Sequence, residues 1–268
     1  MMDKVVVITG ASSGIGKALA WEYACKGSRV VIAARNREKL ESLAADMRSR
    51  KHEVLYQQTD VSKEADCREL IRVTAERYGR IDILINNAGI SMRALFEDLE
   101  LEVIRRLMDV NFWGTVYCTK YAFPWLLESK GSLVGVSSVA GFKGLPARTG
   151  YTASKAAIHG FLDVIRLETR KKGLHVLLAC PGFTASNIRK TALTENGKPQ
   201  GNTPRNESSM MSAEEVARHI YRAVAKRKRM IVLTSEGKIA YLLSKFAPRL
   251  LDKIVYNQMA KEPDSPLP

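Results

Sequence analysis

Cysteine is scarce in this 268-residue chain. Its four residues, Cys25, Cys67, Cys118 and Cys180, are scattered without a C-x-x-C pair. That spacing indicates neither a disulfide framework nor a metal site, and it suits small core residues in a reduced compartment. Long apolar runs are missing too. No stretch approaches the roughly 18 residues of a membrane-spanning helix, and no basic region with an apolar h-region precedes the first strand, so a cytoplasmic protein is expected. Internal repeats and long low-complexity tracts are also absent. Acid is short relative to base: 28 Asp+Glu stand against 42 Lys+Arg, a formal charge of +14. Such a balance suits a phosphorylated cofactor, an acidic carrier, an anionic membrane surface or nucleic acid, and equally a solvated basic surface. The cations are spread along the chain with no RNA- or DNA-binding motif, so no nucleic-acid partner is expected.

What is present, with 46% hydrophobic residues, is enough for one sizeable core. Lys4 to Thr9, KVVVIT, is a buried-type strand. Gly10, Ser12, Ser13, Gly14, Ile15 and Gly16 follow in a G-x-x-x-G-x-G turn, and a helical pattern then closes at Gly27. Strand, glycine turn and helix form the context of a dinucleotide-binding loop: glycines let backbone approach a pyrophosphate, and the helix N-terminus offers free N–H groups. A second strand, RVVIAA, ends at Ala34, where NAD-selective folds usually carry an acid. Arg35 stands next. A guanidinium there suits the 2′-phosphate of NADP(H), or simply begins the basic surface of the following helix.

A third strand ends at Asp60 and Val61, where Asp60 could accept from an adenine amino group or cap a helix beginning near Ser62. A fourth strand, IDILIN, runs into Asn86, Asn87, Ala88 and Gly89, whose small residues allow backbone to lie beside the adenosine side of a ligand. A long helix over about 101–128 carries Asn111, with Pro124 expected to disturb its last turn. The strand LVGVSS ends at Ser138. Tyr151 and Lys155 follow at i,i+4 spacing, which stacks phenol and ammonium on one helix face. A neighbouring cation favours the phenolate and should lower the tyrosine pKa toward acid–base use. Gly173 is expected to end that helix, and a sixth strand leads to the turn at Pro181 and Gly182.

The motifs T-G-A-S-S-G-I-G (9–16), D-V (60–61), N-N-A-G (86–89), Asn111, Ser138, Y-T-A-S-K (151–155) and P-G (181–182) resemble, in order and spacing, the short-chain dehydrogenase/reductase family over about residues 4–235. The resemblance implies a single doubly wound α/β domain with a seven-stranded parallel sheet in the order 3-2-1-4-5-6-7. It implies hydride transfer between NADP(H) and the carbonyl or secondary alcohol of a small-molecule substrate. Tyr151 would be the proton donor and acceptor, Lys155 its electrostatic partner and a ribose ligand, Ser138 the group that orients the substrate oxygen, and Asn111 the anchor of a water linking Lys155 to solvent. The cofactor would lie along Gly10–Gly16, Arg35, Asp60, Val61, Asn87, Ala88, Gly89, Pro181, Gly182, Thr184 and Ser186. In the family the helices carrying Asn111 and Tyr151 often form a homodimer or homotetramer interface.

Residues 187–211 are polar and proline- and glycine-rich, which fits a substrate lid, with Met210 and Met211 either apolar substrate contacts or packing for the next helix. Ser212 with Glu214 and Glu215 predicts a helix start. That helix runs to KRKR (226–229), cations that complement a helix C-terminus. Domain residues 1–235 are then followed by an extension, 236–268, whose apolar positions at 239, 242, 243, 246, 250, 251, 254 and 255 predict two amphipathic helices broken at Pro248. They suit either a peripheral membrane contact or a cap on the protein's own domain or on a partner subunit. The extension, and the lack of a T-G-Q-like turn, set the chain apart from acyl-carrier-protein ketoreductases and closer to the branch related to 11β-hydroxysteroid dehydrogenases. A lipophilic ketone is therefore the expected substrate. An acyl-thioester ketoreductase, a non-catalytic NADP(H) sensor and a membrane-surface-associated protein are the rivals.

Overall fold

The computed structural model describes residues 2–185, 187–201, 210–262 and 265–267. Seven strands, β1 (Val5–Thr9), β2 (Arg29–Ala34), β3 (Val54–Gln58), β4 (Ile83–Asn86), β5 (Ser132–Val136), β6 (His175–Cys180) and β7 (Met230–Val232), form one parallel sheet in the order β3-β2-β1-β4-β5-β6-β7. Val6 stands beside Val30 on one side and Ile83 on the other. The crossovers are α1 (Gly14–Cys25), α2 (Arg37–Ser49), α3 (Glu64–Tyr78), α4 (Leu101–Leu107) continuing into α5 (Gly114–Glu128), α6 (Thr149–Glu168) and α7 (Ala213–Ala225). Two further helices, α8 (Ser235–Phe246) and α9 (Pro248–Ala260), follow the sheet.

Side chains alternate along a strand, and here both faces are covered, which explains why the strands are apolar throughout. Val6 and Ile8 of β1 join the core under α1, α2 and α7, whereas Val5 and Val7 join the core under α3, α5 and α6. A third, smaller cluster of Met92, Ala94, Leu99, Val103, Leu107 and Leu193 lies against Tyr151. It is closed by pairing of distant segments: Leu193 N–H donates to the Ser91 carbonyl and Arg93 N–H donates to that of Leu193, both at 2.8 Å.

Four local expectations are revised. The long helix is not uniform, since Met108–Trp113, which contains Asn111, forms a π-helical segment between α4 and α5. Pro124 leaves α5 unbroken to Glu128, because burial of Cys118, Ala122 and Leu126 on the same helix offsets the missing N–H. Helix α3 starts at Glu64, because Asp60 Oδ1 accepts from the Ser62 N–H (3.1 Å) and hydroxyl (2.7 Å) and so holds a turn ahead of it. Finally, α6 stops at Glu168, and Gly173 serves a left-handed turn (φ +80°) before β6. The start of α7 follows expectation: Ser212 Oγ accepts from Glu215 N–H and the Glu215 carboxylate accepts from Ser212 N–H, a capping box. The KRKR run does more than cap that helix. Arg227 donates to the carbonyls of Lys130 (3.3 Å) and Gly173 (2.6 Å), and Arg229 pairs with Asp163.

Candidate active site

The strand order reverses between β1 and β4, so the loops leaving those two strands diverge and open a crevice at their carboxyl ends. The two loops are stitched together from below. Thr9 Oγ1 accepts from the backbone N–H groups of Asn87 (3.0 Å) and Ala88 (3.1 Å), and Asn87 Nδ2 donates to the carbonyls of Thr9 (2.9 Å) and Gly10 (3.3 Å). Gly10 sits at φ +67°, and a Cβ on Gly16 would lie 2.2 Å from the Gly10 carbonyl oxygen. No side chain fits there, so the turn lies flat against the next loop and α1 begins immediately behind it. Ser13, at the N-cap, makes no side-chain bond to its own helix, and Ser12 and Ile15 are half-buried around the turn. This cradle of bare backbone before a helix N-terminus fits a dinucleotide pyrophosphate.

Arg35 is exposed at the end of β2. The next residue, Asn36, caps α2 through Lys39 N–H (2.8 Å), and Arg37 pairs with Glu41 (2.7 Å). No carboxylate therefore stands at the tip of this strand, and Arg35 is the cation placed there. Asp60 uses one oxygen on Ser62, and Val61 is buried against Gly114.

The other wall is built on α6. Tyr151 lies in its first turn and Lys155 one turn on, so the i,i+4 stacking is realised; the Lys155 Nζ lies 5.8 Å from the Tyr151 ring centroid. Lys155 is buried and donates to the Val136 carbonyl (3.0 Å), and burial lowers its pKa to about 8. The lysine fits because Gly89 lacks a side chain: a Cβ there would lie 3.2 Å from both Lys155 Nζ and Asn111 Oδ1. Ser138 Oγ accepts from Ala140 N–H (3.1 Å) and stands beside the Tyr151 phenol, where it acts on that group's ionisation.

The tyrosine pKa moves opposite to the sequence expectation. Desolvation raises it above the usual phenol value, and the Ser138 hydroxyl and the nearby Arg148 charge only partly oppose that rise. Removing the phenol from water costs its charged form more than these groups return.

Asn111, fully buried, ties this wall to the β4 loop. It accepts from Ile90 N–H (2.8 Å) and donates to the Ile90 carbonyl (3.0 Å) and Ser154 Oγ (2.9 Å), and Ser154 donates onward to the Tyr151 carbonyl (2.8 Å). Behind Lys155, Ser137 Oγ lies 3.2 Å from the Lys155 carbonyl and 2.7 Å from His159 Nε2. A hydroxyl has one proton, so donation to the carbonyl leaves Nε2–H as the donor to Ser137. Burial, then the Lys155 charge, lowers His159 to about 4 and keeps it neutral. Thr9, Ser137, Ser154 and His159 escaped sequence reasoning. Thr9 and Ser154 sat inside the quoted motifs T-G-A-S-S-G-I-G and Y-T-A-S-K, but the partners of all four side chains are set by tertiary packing that the motifs do not show.

On the third side, the Pro181 carbonyl accepts from Val139 N–H (3.1 Å), which brings the 181–182 turn onto the Ser138 loop. Thr184 is buried, and its hydroxyl donates to the Gly182 carbonyl (3.2 Å). Ser186 lies outside the described residues, as does 202–209 of the expected lid. The described part of that segment crosses over Tyr151 through Leu193, and Met211 packs into the core beside α7. Among the described residues no cluster of His, Cys, Asp and Glu could hold a metal ion.

Residues 4–197 match the family model for short chain dehydrogenase. The chain is 35% identical over 271 residues to 11-beta-hydroxysteroid dehydrogenase A of Sesamum indicum, covering 97% of this chain and 78% of that one. It is 33% identical over 270 residues to dehydrogenase/reductase SDR family member 7B of Rattus norvegicus, covering 98% and 83%. Among solved structures it resembles a short chain dehydrogenase/reductase from Burkholderia phymatum in complex with NAD, with a TM-score of 0.82 and 25% identity over 94% of this chain and 95% of that one. It also resembles an alcohol dehydrogenase from the archaeon Thermococcus sibiricus complexed with 5-hydroxy-NADP, with a TM-score of 0.73 and 25% identity over 86% and 95%.

Proposed function

This chain belongs to the short-chain dehydrogenase family, in its 11β-hydroxysteroid dehydrogenase-like group, and from that premise we propose that it is an NADP(H)-dependent reductase of a lipophilic ketone. The observation that carries the proposal is the convergence of Ser138, Tyr151 and Lys155 beneath an apolar cluster that ends on Tyr151 itself. A bound nicotinamide supplies the hydride that goes to the carbonyl carbon. Tyr151 gives its hydroxyl proton to the carbonyl oxygen, and Ser138 donates a hydrogen bond to that same oxygen. The ammonium of Lys155 then faces the phenolate so formed. With a pKa of about 8, Lys155 is largely protonated at neutral pH, when that charge is needed.

Preference for NADP(H) rests on Arg35 and on the lack of a carboxylate at the end of β2. A lipophilic substrate is favoured by the buried apolar cluster of Met92, Leu107 and Leu193 that packs against Tyr151. We also read the protein as cytoplasmic and as a homodimer or homotetramer, with Trp113, Val164 and Leu167 exposed along the helices that would pair.

Two measurements test these readings. Tyr151→Phe should abolish ketone reduction while NADPH affinity stays within about three-fold, because the phenol oxygen serves the transition state and not the nucleotide. Loss of NADPH binding on that substitution would overturn the role given to Tyr151. Titration of intrinsic tryptophan fluorescence should show NADPH binding at least about ten-fold tighter than NADH, with Arg35→Ala erasing the difference. Equal affinities in the unsubstituted protein would overturn the Arg35 assignment.

A further inference from the structure

Thr234, between β7 and α8, has a backbone that threonine rarely takes. Its φ and ψ are +66° and 150°, a region that belongs essentially to glycine, and branching at Cβ makes it costlier still. Hydrogen bonds hold it there from both sides. Leu233 N–H donates to the Cys180 carbonyl (3.0 Å), while Thr234 Oγ1 accepts from Gly237 N–H (3.1 Å) and the Thr234 carbonyl from Lys238 N–H (3.2 Å). Capping does not account for the strain. Glycine at the same N-cap would start α8 almost as well, and it takes such a backbone freely. The chain keeps a side chain here although the backbone opposes it.

What that side chain touches is the turn after β6. A Cβ on Gly182 would lie 2.5 Å from Thr234 Oγ1 and 3.1 Å from Thr234 Cγ2, so the threonine rests on the backbone of that glycine. Gly182 has no positive φ, and the three atoms nearest its missing Cβ all belong to Thr234. Contact with the threonine, not its own conformation, is what keeps position 182 a glycine. Two carbonyl bonds already tie the turn to Val139 and Thr184, and Thr234 adds a steric stop. Gly237, the donor to Thr234, is held as closely: a Cβ there would lie 2.9 Å from Val139 Cγ2 and 3.0 Å from Thr234 Oγ1. The start of α8 thus bears on the 181–182 turn through Thr234 and on the Ser138 loop through Gly237.

Resting on the proposed reaction, with the 181–182 turn as part of the nicotinamide site, we propose that Thr234 is a positioning residue. Its side chain is the stop that fixes the Pro181–Gly182 turn at its distance from Ser138. It touches no reacting atom and acts through Gly182. Glycine restrains its own backbone poorly, so without the stop the turn has room to move and the nicotinamide half of the cofactor loses a fixed wall. Strain kept in the backbone at 234 is what holds a methyl and a hydroxyl against that turn.

Thermal melts, ketone reduction and fluorescence titrations on the full chain test this, the titrations with NADPH and with 2′-phospho-ADP-ribose, which lacks the nicotinamide. In Thr234→Gly the melting temperature should hold or rise, because relief of strain offsets the lost contact. The same variant should bind NADPH about five-fold more weakly and 2′-phospho-ADP-ribose equally well, with kcat down about ten-fold. Thr234→Ser keeps Cβ and Oγ1 and should stay within about two-fold of the unsubstituted protein in every readout. Gly182→Ala should weaken NADPH binding at least about fifty-fold, and adding Thr234→Gly should recover about ten-fold of that loss, since the clash is gone. A melting temperature several degrees lower in Thr234→Gly would assign the residue to folding and overturn the proposal. Unchanged kcat and NADPH affinity in that variant would also overturn it, as would no recovery in the double variant. Failure of the unsubstituted chain to bind NADPH or NADH is a different outcome: it would sink the proposed function, and this role of Thr234 with it.

Discussion

The β1–β4 side of the crevice and the C-terminal side are held by different physics. Around the first, short polar side chains bond to backbone in partly or fully buried positions: Thr9 and Asn87 join two loops, and Asn111 joins a loop to α6. Around the second, contacts are ion pairs near the surface and ring edges, such as Lys143–Asp252 and Phe142–Tyr241, with large apolar side chains left in water. A site that must hold a ribose and a pyrophosphate at fixed distance needs backbone placed within a few tenths of an ångström, and buried bonds give that rigidity. A surface that admits varied apolar shapes does not need it. The first region should therefore punish small changes and the second forgive large ones.

The sharpest way to break that contrast is at Gly16. Adding one methyl group, Gly16→Ala, sets a carbon 2.2 Å from the Gly10 carbonyl. It should cost about 3 kcal/mol or more of stability with loss of measurable NADPH binding, seen by denaturant unfolding and titration. Asn111→Ala strands the Ile90 N–H and carbonyl and the Ser154 hydroxyl. Chemical denaturation should register a loss of about 2–3 kcal/mol; a loss below about 0.5 kcal/mol would mean that water replaces the amide and that the loop is not held as described.

Next comes acid. The imidazole of His159 has its folded pKa depressed to about 4 from 6.5, so between those values the unfolded chain binds a proton that the folded one refuses. Stability from this group is full above pH 6.5 and falls as pH drops toward 4, by about 2 kcal/mol after allowance for partial exposure. His159→Asn should flatten that slope in melts across the same window. The smallest effect belongs to the far region: Phe246→Ser should move stability by less than about 0.5 kcal/mol, since the ring is already in solvent.

Much of the first region was legible in the sequence because its constraints are local. Glycine at 10, 14 and 16 directly after an apolar strand reports a turn that only glycine can make, and continuous β-branched runs report strands covered on both faces. The order of the strands followed from the family resemblance and is the order observed. The joining of 91–93 to Leu193 carried no signal, because a pairing across about a hundred residues leaves no period in either segment. The tyrosine shift was misjudged for a related reason. Spacing places a lysine beside a phenol, but the opposing cost of burial depends on Met92, Leu193 and other residues that arrive from elsewhere in the chain. On α8, the period at 239, 242 and 246 was visible while its direction was not, since amphipathicity has no sign until the packed side is known.

The π-helical segment at Met108–Trp113 has one more consequence, and it concerns phase. Before it, Val103 and Leu107 face the small cluster over Tyr151; after it, Cys118, Ala122 and Leu126 face the central sheet. A π turn carries one residue more than an α turn, so the two stripes are offset by about 100° along what is otherwise one rod. The segment works as a splice between two cores: an ideal α-helix of the same length would turn one stripe or the other out of its core. Asn111 lies within that splice, at the place where the rod changes the face it serves.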